Sequence, residues 1–233
     1  MENIYSDGTY KEITRTWHTE DSAWKANQIM DAIKRKELYP AVVCEVGCGA
    51  GEILWELSRM LPEDVQLVGF EPSSLARAMQ RLDPIGRIQF KNGDFLTTPT
   101  EHFDILLLID VFEHIPDYFG FLQAIRSRAD VVIFHIPLEL TAFNLFRGGI
   151  LAASRNTLGH LHFFNRDIAL AAIESCGYTI VSESYTNWVE ELPHRASLQP
   201  FLRHSLRLLK LLCGDHTAVR LLGGHSLLVV AKS

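Results

Sequence analysis

The stretch VVCEVGCGAGEIL, Val42–Leu54, decides the fold. An apolar run from Ala41 to Val46 carries one acid, Glu45, near its end. Gly47, Gly49 and Gly51 follow, alternating with small residues. Beyond them Ile53, Leu54, Leu57, Met60 and Leu61 recur at helical spacing. The pattern predicts a strand, a tight glycine turn and a helix. Glycines admit positive φ and let a ligand lie against bare backbone. The turn opens on a helix N-terminus, where free N–H groups favour an anion. A dinucleotide fits poorly: the G-x-G-x-x-G fingerprint counted from Gly47 needs a third glycine where Glu52 stands.

Working outward, the downstream chain alternates strands and helices. Val65 to Phe70 predicts a second strand, ending in Glu71 and Pro72, with Ser73 or Ser74 capping a helix through Met79 and Leu82. Glu71 lies about 20 residues past the glycine turn, where an acid ending the second strand meets ribose hydroxyls. Ile88 to Phe90 reads as a third strand, followed by Asn92, Gly93, Asp94 and Phe95. Phe103 to Asp110, FDILLLID, is a nearly continuous apolar run, as in a central parallel strand buried on both faces. Pro116 and Asp117 start the next helix, and Ala129 to Pro137 is a fifth strand. Alternation of this kind predicts a parallel sheet with helices on both faces.

Residues 138–164 are too long for an ordinary loop and too irregular for one helix, which marks them as a lid or binding insert. Asn165 caps a helix to Cys176, ended by Gly177. Tyr178–Tyr185 and His225–Ala231 predict the last two strands. Between them Leu198–Leu212 is an amphipathic basic helix, read either as a packing helix with a solvated face or as a contact to a membrane surface or acidic substrate. Upstream, Trp24, Ile29, Met30 and Ile33 predict a helix over 22–36. Tyr5, Tyr10 and Trp17 either cover a sheet edge or form a lid tipped by Thr16, Trp17 and His18.

Composition narrows the class. The chain has 233 residues, 47% of them hydrophobic, and a net charge of -6. One α/β domain over 1–233 is expected, with an N-terminal cap over 1–38 and inserts at 138–164 and 187–224. The acidic balance argues against a nucleic-acid partner. The N-terminus is polar and no apolar run approaches the roughly 18 residues of a membrane span, so a cytoplasmic protein is expected. Cys44, Cys48, Cys176 and Cys213 form no C-x-x-C pair and read as buried free thiols. No carboxylate–histidine cluster has metal-ligand spacing in sequence, so no metal is expected.

Taken together, EVGCGAG at Glu45–Gly51, GFEPS at Gly69–Ser73, NGDF at Asn92–Phe95, FDILLLIDVFEHIPD at Phe103–Asp117 and GHLHFFNRDIALAAIESCGY at Gly159–Tyr178 resemble the bacterial class I S-adenosylmethionine (AdoMet)-dependent methyltransferases of the ubiquinone, sugar and small-metabolite group. The resemblance spans about Tyr39 to Ser184. It implies a Rossmann-like, doubly wound, seven-stranded sheet of order 3-2-1-4-5-7-6 with strand 7 antiparallel. It implies AdoMet as cofactor, with Gly47, Gly49 and Gly51 near its methionine portion and Glu45 orienting its ammonium group. Glu71 would take the ribose and Asp94 the adenine amino group, with Phe95 beside the ring. Asp110 would lie near the sulfonium, and Cys48 and Pro72 complete the cofactor-facing turns. The 187–224 segment is longer than that family's usual final hairpin.

The resemblance implies methyl transfer but not its acceptor. A small-molecule hydroxyl is expected, with His160 as general base and His114 and Trp17 as further catalytic candidates. His18, His135 and His162 are weaker ones, His135 because it sits inside a strand. A nicotinamide-dependent oxidoreductase and a non-catalytic AdoMet-binding protein are the alternatives, separable by cofactor titration and by turnover.

Overall fold

The structure, a computed structural model, describes residues 19–98, 101–192 and 200–233. Its sheet has seven strands: β1 Val42–Val46, β2 Gln66–Glu71, β3 Ile88–Asn92, β4 Phe103–Ile109, β5 Ala129–Pro137, β6 Thr179–Thr186 and β7 Ser226–Lys232. Their order is β3-β2-β1-β4-β5-β7-β6. All neighbours are parallel except β7, which runs antiparallel to both β5 and β6. This is the topology the resemblance implied.

The continuous apolar strands are explained by burial on two sides. β4 sends Leu106 and Leu108 into one core cluster and Ile105, Leu107 and Ile109 into the other. β5 does the same with Val132, Phe134 and Ile136 against Val131 and Ile133. Successive side chains of a strand point to opposite faces, so a strand covered on both needs no polar alternation.

Helix α1, Ser22–Arg35, buries Ala26, Ile29, Met30 and Ile33 on the second cluster. Asp21 stands at its N-cap position but makes no side-chain cap bond. Helix α2, Glu52–Ser58, follows the glycine turn. Helix α3, Ser74–Arg77, is capped by Ser73, which accepts from the Ala76 N–H, and is a single turn. The sequence predicted a helix through Leu82, but Leu82 is 93% exposed and has no apolar surface to pack on. Helix α4, Tyr118–Ile125, begins at an Asp117 cap as expected.

The 138–164 insert holds two short helices, α5 Ala142–Arg147 and α6 Ile150–Leu158, separated by Gly148 and Gly149 at positive φ. Helix α7, Arg166–Ser175, is capped by Asn165 through the Ile168 N–H. A short helix α8, Trp188–Glu191, precedes α9, Pro200–Leu222, which kinks at Gly214. Helix α9 packs Leu206 and Ala218 on Val189, while Arg207 reaches Glu190 at 2.7 Å. It presents Leu208, Leu211 and Leu212 to solvent. Cys44, Cys48 and Cys176 are buried free thiols, but Cys213, on this exposed helix, is not buried as predicted.

Among the described residues no helix is long and apolar enough to cross a membrane.

Candidate functional site

The glycine turn is built as the sequence demanded. Gly47, Gly49 and Gly51 all have positive φ. A Cβ on Gly51 would enter the ring of Phe90, so this position needs glycine for space as well as for conformation. Gly47 and Cys48 N–H groups both donate to the Phe70 carbonyl, at 2.8 and 3.1 Å, which pins the turn to the end of β2.

Glu71, at that end, is buried and holds the turn from below. Its Oε2 accepts from the Gly49 N–H at 2.8 Å and its Oε1 from the Ser73 N–H at 2.7 Å. Burial raises its pKa, while these two N–H groups and Arg77 oppose the rise. Gln80 donates to the Gly49 carbonyl at 2.8 Å, Cys48 lies buried beside it, and the Arg77 guanidinium donates to the Pro72 carbonyl at 2.6 Å. Glu52, which reads in sequence as an unfavourable charge at a helix N-terminus, pairs with Arg81 at 2.6 Å.

Glu45 is buried, and its Oε2 has no hydrogen-bond partner among the described residues. Burial pushes its pKa up to about 8, against the pull of Lys25 and with the push of Glu71. Asp110 follows β4 at a φ of 54°, a conformation rare for a residue with a side chain. Its carboxylate meets Lys25 at 2.7 Å and the His135 Nδ1 at 2.7 Å. Burial alone would raise its pKa, but Lys25 and His135 outweigh burial and hold it well below the usual range. His135 is a satisfied core histidine: its Nε2 meets Thr186 Oγ1 at 3.0 Å and Trp24 packs edge-on to its ring.

Asp94 caps a short 3-10 turn, Phe95–Thr97, by accepting from the Leu96 N–H, and is exposed beyond β3. Phe95 faces inward. Phe70 meets it edge-on at 4.9 Å and the Arg128 guanidinium lies over its face at 3.7 Å. Its ring belongs to the core rather than to an open adenine-facing surface.

A second polar cluster sits past Asp110. The Glu113 carbonyl accepts from the Leu161 and His162 N–H groups, at 2.9 and 3.1 Å. His114 Nδ1 meets the Gly159 carbonyl at 3.2 Å and His162 Nε2 the Ile115 carbonyl at 3.0 Å. These contacts dock the end of the insert on the EHIP turn and bring the rings of His114 and His160 to 4.8 Å, edge to face. His160 Nδ1 lies 2.5 Å from Glu139 Oε2, and Ser154 Oγ donates to Glu139 Oε1 at 2.7 Å. Burial, with His160 adding to it, pushes the His114 pKa down to about 4, so its ring is neutral at physiological pH. Glu113 is fully buried, and neither carboxylate oxygen has a hydrogen-bond partner among the described residues. Burial and the charges of Asp110 and Glu139 hold its pKa well above the usual carboxylate range.

The structure thus joins Gly49 with Glu71, and His114 with His160. Trp17 and His18 lie outside the described residues. Sequence reasoning did not single out Lys25, Glu113, Glu139 or Ser154, whose surroundings only the tertiary structure assembles. A cleft of about 300 Å³ beside Leu140, Tyr185 and Arg220 is lined by none of the predicted site residues.

The residues present fit AdoMet. The orphaned, buried Glu45 Oε2 calls for a cationic donor such as an ammonium group, and the bare turn at Gly47–Gly51 leaves backbone open to a ligand. A mixed sheet with β7 reversed and a glycine turn tied to an acid on β2 define a Rossmann-like nucleoside-binding fold. Residues 17–183 match a family described as methyltransferase domain, and the chain belongs to that family. It is an AdoMet-dependent methyltransferase.

Solved structures with the same fold agree. A putative methyltransferase in complex with a Haloferax volcanii methyltransferase activator is 16% identical, with a TM-score of 0.62, covering 97% of this chain and 94% of that one. Magnesium protoporphyrin IX methyltransferase from Synechocystis PCC 6803, with bound SAH, is 13% identical, with a TM-score of 0.58 and coverage of 95% and 86%. The [4+2]-cyclase SpnF is 13% identical, with a TM-score of 0.55 and coverage of 89% and 81%. Since a cyclase shares the fold, the fold alone does not fix the reaction. No curated protein matches the chain in sequence.

Proposed function

We propose that this methyltransferase acts on a hydroxyl group of a small molecule and that His160 takes the hydroxyl's proton. The observation that carries the reading is the contact of His160 Nδ1 with Glu139. A carboxylate only accepts, so the Nδ1 carries the hydrogen and the lone pair is on Nε2. Ser154 fixes Glu139 in turn. This base–orienter arrangement suits proton abstraction.

In this reading the bound AdoMet supplies a sulfonium methyl, whose C–S bond breaks with its electron pair left on sulfur as the C–O bond to the acceptor forms. Glu71 holds the ribose, Asp94 the adenine amino group, and Glu45 the ammonium. Asp110 borders the sulfonium, and Cys48, Pro72 and Phe95 support the turns that carry these groups. The 138–164 insert closes over the site and excludes water. The acidic net charge supports a small-molecule acceptor over a nucleic acid, and the buried thiols support a reducing, cytoplasmic setting.

The test is His160→Asn, assayed with a panel of hydroxyl and amine acceptors. Loss of the base lowers kcat by about 10²–10⁴ and leaves affinity for the demethylated product, S-adenosylhomocysteine (AdoHcy), near wild type. A combined loss of ligand affinity and thermal stability would identify an anchor instead. Methylation of amines but no hydroxyl would refute the acceptor class.

A further inference from the structure

We infer that Glu113, His114 and His160 form a binding site for one divalent transition-metal cation. The inference rests on the proposed hydroxyl acceptor for the cation's use, though not for its binding, and it replaces His160 as the base, because the same Nε2 lone pair would hold the cation. One ligating atom from each of the three residues lies within 4.8 Å of the others. The His114 Nε2 is 4.0 Å from Glu113 Oε1.

Three features distinguish this cluster from a chance grouping. First, the Glu113 carboxylate has no exposure to solvent and no hydrogen-bond partner on either oxygen among the described residues. A buried carboxyl group without a partner stays protonated, and a metal ion is a group that would ionise and ligate it. Asp110 nearby is answered by Lys25 and His135, and Glu139 by Ser154 and His160, but Glu113 has no such answer in hydrogen bonds. Second, both imidazoles are held through Nδ1, one on the Gly159 carbonyl and one on the Glu139 carboxylate. Neither partner can donate, so in each ring Nδ1 carries the hydrogen and Nε2 is the basic nitrogen. That outer-sphere arrangement orients metal-binding histidines. Third, the Leu161 and His162 N–H groups on the Glu113 carbonyl lock the two halves of the cluster together.

The donor set selects the ion. Two imidazoles and one carboxylate suit Zn²⁺, Fe²⁺ or Co²⁺, whereas Mg²⁺ and Ca²⁺ favour oxygen ligands. An ion with bonds near 2.1 Å holds tetrahedral ligands roughly 3.4 Å apart. The three atoms therefore draw in by about an ångström on loading. Three protein ligands leave a coordination position open, which the acceptor hydroxyl would fill. With the cation bound, His160 Nε2 is a ligand. The cation lowers the hydroxyl's pKa, and the proton departs to solvent.

The test titrates Co²⁺ into the full chain, without acceptor, by visible absorption and calorimetry. The expected result is one equivalent bound with ligand-field bands, displaced by Zn²⁺ and not by Mg²⁺. Glu113→Gln and His160→Asn should each weaken binding at least tenfold, and Glu139→Gln, which touches only the far ring nitrogen, by about 10–100-fold. AdoHcy affinity and circular dichroism verify the fold of each variant. If Glu113→Gln fails to fold, the other two decide. Absence of a one-to-one complex, or binding unchanged in the folded variants, overturns the site. Because no acceptor is present, a failure here leaves His160 as the base, and a failure to methylate hydroxyls leaves the cation site standing.

Discussion

Lys25 Nζ lies 2.7 Å from Asp110 Oδ2, so the first helix is tied by charge to the end of the central strand. The pair is only partly exposed, at 12% and 28% of the two side chains. Removing one partner of a fully buried pair costs about 3–5 kcal/mol. Lys25→Met should therefore cost somewhat less, about 2–3 kcal/mol, because water reaches Asp110. Urea unfolding would measure it, and a loss below about 0.5 kcal/mol would mean that the pair behaves as a surface one. Asp110 has a depressed folded pKa, so its contribution is present above the unfolded value. It is lost as pH falls through the folded one. The mutant should accordingly show a shallower acid destabilisation than wild type.

Glu71→Ala should weaken AdoMet and AdoHcy alike, because both keep the ribose. Two charge-assisted hydrogen bonds are worth together on the order of 2–4 kcal/mol. The same change frees the N–H groups of Gly49 and Ser73, so some loss of thermal stability is expected as well. Calorimetry that finds either ligand bound at wild-type affinity would remove Glu71 from the ribose site.

If Glu45 takes the AdoMet ammonium as proposed, ligand binding is proton-linked. Its pKa of about 8 keeps it protonated at neutral pH, and a cationic ammonium beside it favours the ionised form. AdoHcy binding at pH 7 should release up to about one proton, read from calorimetry in buffers of different ionisation enthalpy. The release should shrink above pH 8 and vanish in Glu45→Gln. Because the folded pKa is raised, Glu45 also lowers stability progressively as pH climbs from its ordinary range towards 8. Glu45→Gln should flatten that limb.

Gly51→Ala places a methyl group in the Phe90 ring at a φ of 80°. Both strain and overpacking oppose it, and a destabilisation of about 2–4 kcal/mol is expected. The companion change Gly86→Ala, where the φ is also positive but no atom stands within 4 Å, should cost less. Equal losses at the two sites would show that conformation alone matters and that contact with Phe90 does not.

Residues 142–158 should exchange amide hydrogens more slowly when AdoHcy is bound, if the insert closes over the site. Helices α5 and α6 bury few residues, so their free-state exchange should be fast enough to reveal protection. Exchange identical with and without ligand would count against a lid.

The sequence alone determined the sheet and its glycine turn. Val42–Leu54 could be read because strand, glycine turn and helix are local: φ, side-chain size and apolar spacing act over a few residues. Glu71 was legible for the same reason, since a strand end at a fixed distance from the turn has one place to go. The short helix after Ser73 was over-read, because helical spacing at Met79 and Leu82 does not reveal that no surface waits for them. Phe95 was read as a cover for adenine, but the tertiary packing of Phe70 and Arg128 turned it inward. Only the fold brought Lys25 to Asp110, Glu139 to His160 and both histidines to Glu113. Those contacts join segments far apart in the chain, and no periodicity records them. Their energies depend on burial, which turns an ordinary glutamate or histidine into a group that must find a partner.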